Sequence, residues 1–589
     1  MIFGKYVNRF YLKYFFNFLL GIIFLIVVDI VQLQVPEIIA ALSKHNDAGT
    51  LTNEIITNGA QQIFFVAIFM FLGRFIWRVC ILNGAFSIAA DLREDMFKKC
   101  LKLSQRYYQD NKVGAIMAYY TNDIETIQES YGWGTVMLVD AIFLSGLSFY
   151  KMMKVNLTLA LICLVPIVLL GVFAYFIDKK MDQIYDERQK AYSSMSDYAQ
   201  ELFIGLRVIK AFVREIIEAR RFKKVNQENK QKELNLVKFS AGLDTAFHIL
   251  IQVMIVIGLS VGAYFAYETL FGFDYNFGRS DMIEFNGYIN TIIWPMMALG
   301  QIVALRARAK TSLKRISKLL DETIEIEDLN NIINMNEVQG KITFKNFSFK
   351  YPNKEQYILK NITLTINPGE NIGIVGRLGC GKTTLINALT RLYNLQENQV
   401  YIDDVDIMKL PINKVRDNIS YVPQDNFLFS TSVEDNVGFA YEKLNEEQII
   451  EACKFADVHN NITDFINGYK TLVGERGVSL SGGQKQRISI ARAYIKDAPI
   501  MILDDSLSAI DVKTEETLLK NIKEKRKGKT TIIVASRVST VKHLDRIIVL
   551  NNGELEAFDT NENLMKISPT YKTMAELQKL EDEVEGGDF

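Results

Sequence analysis

Hydrophobic positions along the chain fall into two regimes. Before residue 306 they gather in long, nearly unbroken runs. From about Gln339 onward they come as short bursts separated by turns and amphipathic stretches. Six of the early runs are long enough to cross a bilayer, which takes roughly 20 residues each. They lie near Phe15–Gln34, Ile63–Leu82, Val136–Met153, Leu157–Ile177, Ala246–Ala266 and Ile283–Leu305. Only Lys154-Val155-Asn156 separates the third from the fourth, which predicts a tight hairpin. The connections Asp91–Gly134 and Asp178–Lys238 carry mixed charge with recurring apolar positions, among them Leu92, Met96, Leu101 and Leu103, then Leu202, Leu206, Ile209 and Phe212. That pattern predicts helical continuations of the spans rather than long structureless loops. Their tips, around Tyr107–Lys112 and Phe212–Phe222, are then placed to touch a cytoplasmic domain.

Charge orients the spans. The N-terminal stretch carries Lys5, Arg9 and Lys13, and both long connections are dense in Lys and Arg, whereas Ser43–Gln62 has one Lys and Glu268–Asp281 one Arg. Basic loops stay on the cytoplasmic side, so the N-terminus and the charged connections are expected in the cytoplasm of a multi-pass protein of the cell membrane. The start of the chain lacks the compact apolar core and small-residue site of a cleavable signal peptide. Polar residues interrupt the spans at Asp29, Gln32, Arg74, Arg78, Asp140, Asp244, His248, Asn286 and Asn290. Such groups are costly in hydrocarbon, so they face either other helices or a water-filled cavity. In the cavity reading, Trp294, Met296 and Met297 supply an adaptable apolar lining.

Composition narrows the field. A chain of 589 residues with 49 % hydrophobic residues and a net charge of −1 offers no bulk basic surface for nucleic acid. The five cysteines are scattered, without a metal-ligand spacing or a disulfide framework. The expected organisation is a membrane domain over 1–306, a linker over 307–338 that is acidic and polar over Asp321–Glu337, an α/β domain over 339–580 and an acidic tail over 581–589.

The α/β half contains Gly376-Arg377-Leu378-Gly379-Cys380-Gly381-Lys382-Thr383, followed by Thr384. This fits G-x-x-x-x-G-K-[ST], with an apolar strand before it and an amphipathic helix after it. Glycines let backbone N–H groups converge on phosphate oxygens, and the helix that follows turns its positive end toward the anion. Lys382 reaches the β- and γ-phosphates, and the Thr383 hydroxyl suits Mg²⁺. Tyr351, after an alternating strand, is positioned to stack on a base. Gln424 ends another strand, within reach of Mg²⁺ and an attacking water. Leu480-Ser481-Gly482-Gly483-Gln484 opens a helix and forms a second anion site. The apolar strand Ile500–Leu503 ends in Asp504, a further Mg²⁺ carboxylate.

Taken in order, the phosphate loop, Gln424, the LSGGQ sequence and the strand ending at Asp504 resemble the signature of an ABC-transporter ATPase domain. The flanking Val473-Gly474-Glu475-Arg476-Gly477 and Ser508-Ala509-Ile510-Asp511 are similar to the family's phrases, and so is Thr121-Asn122-Asp123 in the first cytoplasmic connection. The resemblance implies a six-span exporter membrane domain fused to an ATPase domain, with ATP and Mg²⁺ as cofactors. Two such ATPase domains pair head to tail, so Ser481, Gly482, Gly483 and Gln484 complete the partner's ATP site. Two positions depart from the family. Asp505 stands where hydrolytic members place a Glu, and Ser536 stands where they place the switch His. Both changes weaken hydrolysis while every binding element is kept, a pattern similar to the degenerate subunit of a bacterial heterodimeric exporter. The implied partners are a homologous half-transporter, the lipid bilayer and an amphiphilic, drug-like cargo. Two other readings stay open on the sequence: a homodimeric exporter of lipids or peptides, and an ATP-gated regulatory module that transports nothing.

Overall fold

The structure, a computed structural model, describes residues 4–585 apart from 271–276, 330, 334, 336, 353, 444, 475, 476, 478 and 479. Two compact units emerge. The first comprises residues 1–101 and 111–322; the second comprises 102–110 and 323–589.

The first unit is helical. Among the described residues, four helices in it are long and apolar enough to cross a membrane, Phe15–Asp47, Asn53–Lys102, Val113–Val155 and Glu215–Tyr267. These contain the first, second, third and fifth predicted spans. The other two fall in the helices Leu157–Ile204 and Arg279–Asp321; the side chains of residues 170–179 lie outside the described set, and with them part of the fourth span. The predicted hairpin narrows to one residue. Asn156 is extended between two helices, and its Oδ1 accepts from the Leu159 N–H at 2.9 Å, capping the second. The charged connections are helical continuations, as their periodicity implies. The second tip is a turn of helix at Leu206–Ala211, and a new helix has started by Glu215, so the apex lies nearer the N-terminus than Phe212–Phe222. The stretch 307–321 is not linker. The sixth helix continues to Asp321 and buries Ala309, Leu313, Ile316 and Leu319 at helical spacing, which its Lys- and Arg-rich other face hides in a composition reading.

Two local devices shape this unit. The helix Val113–Val155 carries π-helical turns at Tyr119–Asp123, below the third span, and at Asp140–Leu144, within it. Asp123, buried, accepts from the Ser312 hydroxyl at 2.7 Å and from Arg315 Nε at 2.9 Å, which pins the third helix to the sixth. Sequence reading singled out Asp123 but gave it no partner.

The second unit is α/β. A four-stranded antiparallel sheet runs in the order β2-β1-β4-β5, with β1 Ile342–Phe349, β2 Leu359–Ile366, β4 Val400–Ile402 and β5 Val405–Asp406. A six-stranded sheet runs β10-β9-β3-β8-β7-β6. Its strands are β3 Asn371–Gly376, β6 Ile419–Val422, β7 Ile500–Asp504, β8 Thr530–Val534, β9 Arg546–Asn551 and β10 Glu554–Asp559. Strands β9, β3, β8, β7 and β6 are parallel, and β10 is antiparallel at the edge. Every residue of β7 and β8 is buried. Helices cover both faces of such a sheet, which is why these strands read as unbroken apolar runs. The first cytoplasmic tip belongs to this unit. In the short helix Gln105–Asp110 and the residue before it, Ser104 Oγ donates to Glu325 Oε2 at 2.6 Å and Arg106 Nη1 to Glu325 Oε1 at 2.8 Å. The helix Pro569–Glu585 runs into the predicted acidic tail, of which 586–589 lie outside the described residues.

Candidate nucleotide site

The central strand β3 delivers the phosphate loop to the C-terminal edge of the parallel sheet, where ligands of such sheets bind. Gly376 leaves the strand at φ 154°, and a Cβ there would sit 2.2 Å from the Leu550 carbonyl oxygen. Gly381 caps the helix Lys382–Leu389 at φ 101°, and a Cβ would meet Leu359 at 2.6 Å. A side chain at either position would fill the space the loop backbone needs to curve round an anion. Arg377 and Leu378 stand exposed on the crest, and Cys380 is buried beneath it. Burial pushes the Cys380 thiol up, an effect that Lys382 partly offsets. Lys382 Nζ donates to the Gly376 carbonyl at 2.8 Å, so its ammonium lies across the mouth of the loop.

The metal-type residues converge beside it. Thr383 Oγ1 donates to Asp504 Oδ1 at 3.3 Å, and the Tyr421 hydroxyl donates to Asp504 Oδ2 at 3.4 Å. Asp504 ends β7 at 1 % exposure. Burial pushes its carboxyl above the ordinary range, against the hydrogen bonds from Thr383 and Tyr421, and Asp505 adds repulsion. A carboxylate held in that state favours a cation. A threonine hydroxyl, this carboxylate and the Gln424 amide make an all-oxygen donor set, which suits Mg²⁺. Gln424 Nε2 donates to Asp505 Oδ2 at 3.5 Å. Tyr421 is the participant that sequence reading missed; it was visible only as part of a strand end.

Asp505 adopts a left-handed backbone at φ 47°, and its N–H donates to the Val534 carbonyl at 3.0 Å. This brings the end of β8 alongside it; Ala535 follows, donating to Ile374 at 3.1 Å, and then the exposed Ser536. Tyr351 holds Thr384 by a hydroxyl contact of 3.0 Å and meets Phe349 and Tyr393 edge-on, each at 5.3 Å between centroids. The predicted base-stacking residue is thereby fixed to the phosphate-loop helix.

The signature lies apart. Ser481 caps the helix Gly482–Ile495: its N–H donates to Gln484 Oε1 at 3.0 Å, and its hydroxyl accepts from the Gln484 N–H at 3.3 Å. Among the described residues no hydrogen bond joins Ser481–Gln484 to the phosphate loop. A relay does connect the signature to Asp505. Ser508 Oγ donates to the Asp505 carbonyl at 2.9 Å, and Gln486 Oε1 accepts from the Ala509 N–H at 3.1 Å. A Cβ on Gly483 would lie 3.0 Å from the Ala509 oxygen, so the signature helix packs close to that segment. Glu475 and Arg476, in the phrase before the signature, lie outside the described residues.

Residues 18–296 match the family described as ABC transporter transmembrane region, and residues 359–508 match ABC transporter. The chain is similar to the probable multidrug resistance ABC transporter ATP-binding/permease protein YheI of Bacillus subtilis, with 31 % identity over 99 % of each chain. It is similar also to the multidrug resistance-like ATP-binding protein MdlA of Escherichia coli, with 29 % identity over 96 % of this chain and 95 % of that one. Among solved structures it is similar to a bacterial Atm1-family ABC exporter with ATP bound, at a TM-score of 0.79 and 21 % identity over 97 % of this chain and 98 % of that one.

Proposed function

The chain belongs to the ABC transporter family, and on that premise we propose that it is the slow-site half of a heterodimeric exporter of amphiphilic, drug-like compounds. An exporter-type membrane domain and an ATPase that drives transport are common ground for its relatives. The observation that carries the finer reading is the pairing of Asp505 and Ser536 at the hydrolytic end of a site whose binding elements are all present. In this reading the loop N–H groups and Lys382 hold the ATP phosphates, Tyr351 meets the base, and Thr383, Gln424 and Asp504 hold Mg²⁺, which neutralises phosphate charge. Ser481–Gln484 reach across to the ATP of a partner half-transporter, where most turnover occurs. The relay from Asp505 through Ser508 and Ala509 to the signature helix lets occupancy of one site bias the other.

Closure of the paired ATPase domains then switches the spans from inward- to outward-facing through differential ATP affinity for the two states. The second cytoplasmic tip exposes Leu206, Val208, Phe212, Val213 and Ile216. An apolar patch of this kind fits a docking face, and we assign it to the partner's ATPase domain. The names of the relatives, multidrug resistance-type transporters, support the cargo class. Affinity purification of the tagged chain from its native membrane tests the pairing. The expected product is a one-to-one complex with a second, distinct half-transporter. A homodimer that hydrolyses ATP at full rate would overturn it.

A further inference from the structure

A polar island interrupts the apolar interior of the membrane unit. Asp29 and Asp140 are 3 % and 6 % exposed, and Asp29 Oδ2 and Asp140 Oδ1 have no hydrogen-bond partner. Arg74 is the cation whose field reaches both carboxyls. Its guanidinium donates to Gln32 Oε1 at 3.1 Å. Two buried carboxyls beside one guanidinium can be neutralised in full only by one further positive charge, a proton or a bound cation, because an unpaired ionised carboxylate is expensive in such a medium. The other Asp140 oxygen, Oδ2, accepts from Trp294 Nε1 at 2.9 Å, and the indole is 42 % exposed. An indole that gives its N–H to a carboxylate gains electron density on its ring face, and that face attracts cations. Asp140 also opens the π-helical turn of the third span, and Trp294 immediately precedes Pro295 inside the sixth helix. Departures of this kind from regular helix re-aim side chains and gather at functional sites.

We propose that Asp140 and Trp294, backed by Asp29, form a recognition site for a monovalent lipophilic organic cation. The exposed indole face takes the delocalised charge, and the buried carboxylates supply the counter-charge. A hard metal cation is a poor fit, because it demands six or more oxygen ligands, and this site offers two unpartnered oxygens and a ring. Met296, read from sequence as cavity lining, is buried in the helix core, whereas Trp294, read the same way, is exposed.

This cargo class presupposes the exporter reading above. The test uses the full chain with its copurified half in lipid nanodiscs, carrying W77F and W133F so that Trp294 is the remaining indole of the three in this chain. Tetraphenylphosphonium is titrated against triphenylphosphine oxide, an uncharged probe of similar shape. Phosphonium is expected to quench Trp294 saturably, and the affinities of both probes for every variant are read by equilibrium dialysis. D140N and W294L should each lower the phosphonium-to-oxide affinity ratio roughly tenfold, W294F less, and D140E should restore most of it. An unchanged ratio in D140N, equal loss for both probes, or a ratio that responds to pH but not to D140N (a protonation site only) would each overturn the proposal. Melting curves and ATP-analogue binding establish that each variant is folded, and D29N, expected to lower the ratio in the same direction, serves where D140N is not. ATP-driven uptake of an uncharged dye into inverted vesicles separates the two claims. Uptake with an unchanged ratio sinks the cation site alone, whereas no uptake of either class sinks the exporter reading.

Discussion

If this chain carries the slow site, removing the Asp505 carboxylate should barely slow the transporter, and lengthening it should speed turnover at that site. Asp is one methylene shorter than Glu, on the order of 1.5 Å of reach, and misplacing a catalytic group by about 1 Å can cost roughly a hundredfold in rate. That corresponds to about 2.7 kcal/mol of barrier. The local backbone works against full recovery. Asp505 sits at φ 47°, where Asp is tolerated and a longer side chain pays about 1 kcal/mol more. The net gain expected from D505E is therefore about 1.5–2 kcal/mol, or roughly 10- to 30-fold in turnover at this chain's own site, and S536H should add to it. The assay is phosphate release from the complex after the partner's hydrolytic carboxylate has been removed, so that this site alone reports. In the complex with an intact partner, the slow-site reading puts the working site over Ser481, so D505A should lower ATPase activity by less than about threefold, whereas S481A should lower it at least about tenfold. Collapse of activity in D505A to the level of K382A would refute the reasoning, because the site would then be the working one.

Three further outcomes follow from the same structure. G376A drives a Cβ to 2.2 Å from the Leu550 oxygen, so it should destabilise the ATPase unit by more than about 2 kcal/mol and abolish ATP-analogue binding; a normal melting curve with normal binding would contradict this. Y351L loses the Thr384 contact and two edge-on ring contacts, so ATP-analogue affinity should fall roughly tenfold by fluorescence titration, with about 1–2 kcal/mol lost from ATPase-unit stability. Glu370 is pushed up by burial, but its ion pair with Arg546 at 2.6 Å and its bonds to Asn367 outweigh that and hold its carboxyl below the ordinary range. A depressed folded value contributes stability above the unfolded value and loses it as pH falls through the folded one. The melting difference between wild type and E370Q, about 1 kcal/mol near neutral pH, should therefore shrink below about pH 4.

The layout of the candidate nucleotide site was legible because it is written in contiguous residues. A phosphate loop must be a strand, a glycine turn and a helix in immediate succession, and the strands that carry Gln424 and Asp504 announce themselves by being buried on both faces. What the sequence hid are side chains that meet across long intervals. Tyr421 against Asp504, Arg315 against Asp123 and Trp294 against Asp140 are each joined by packing alone, with no spacing that marks them. Boundaries failed for a related reason. Residues 307–321 are rich in Lys and Arg, and their buried stripe of Ala309, Leu313, Ile316 and Leu319 becomes visible only once the helix they continue is known. The apex of the second cytoplasmic tip was misplaced because both of its flanks are helical and charged, and nothing in composition distinguishes a turn of one from the start of the next.

Asp505 and Ser536 do not bear equal weight in the slow-site reading. The left-handed backbone at Asp505 gives a local reason for Asp that is independent of catalysis, since Asp and Asn occupy that region more readily than longer residues. Its hydrogen bond from Gln424 also keeps the carboxylate aimed into the site, so a shortened base there is weakened rather than absent. Ser536 has no such excuse. It is exposed beyond β8, its backbone asks for no special residue, and a hydroxyl on a single carbon cannot span the distance an imidazole covers. If one substitution alone restores turnover, S536H combined with native Asp505 should do more than D505E combined with native Ser536. The reverse order would locate the defect in the base and leave a homodimer with two slow but working sites as the better description.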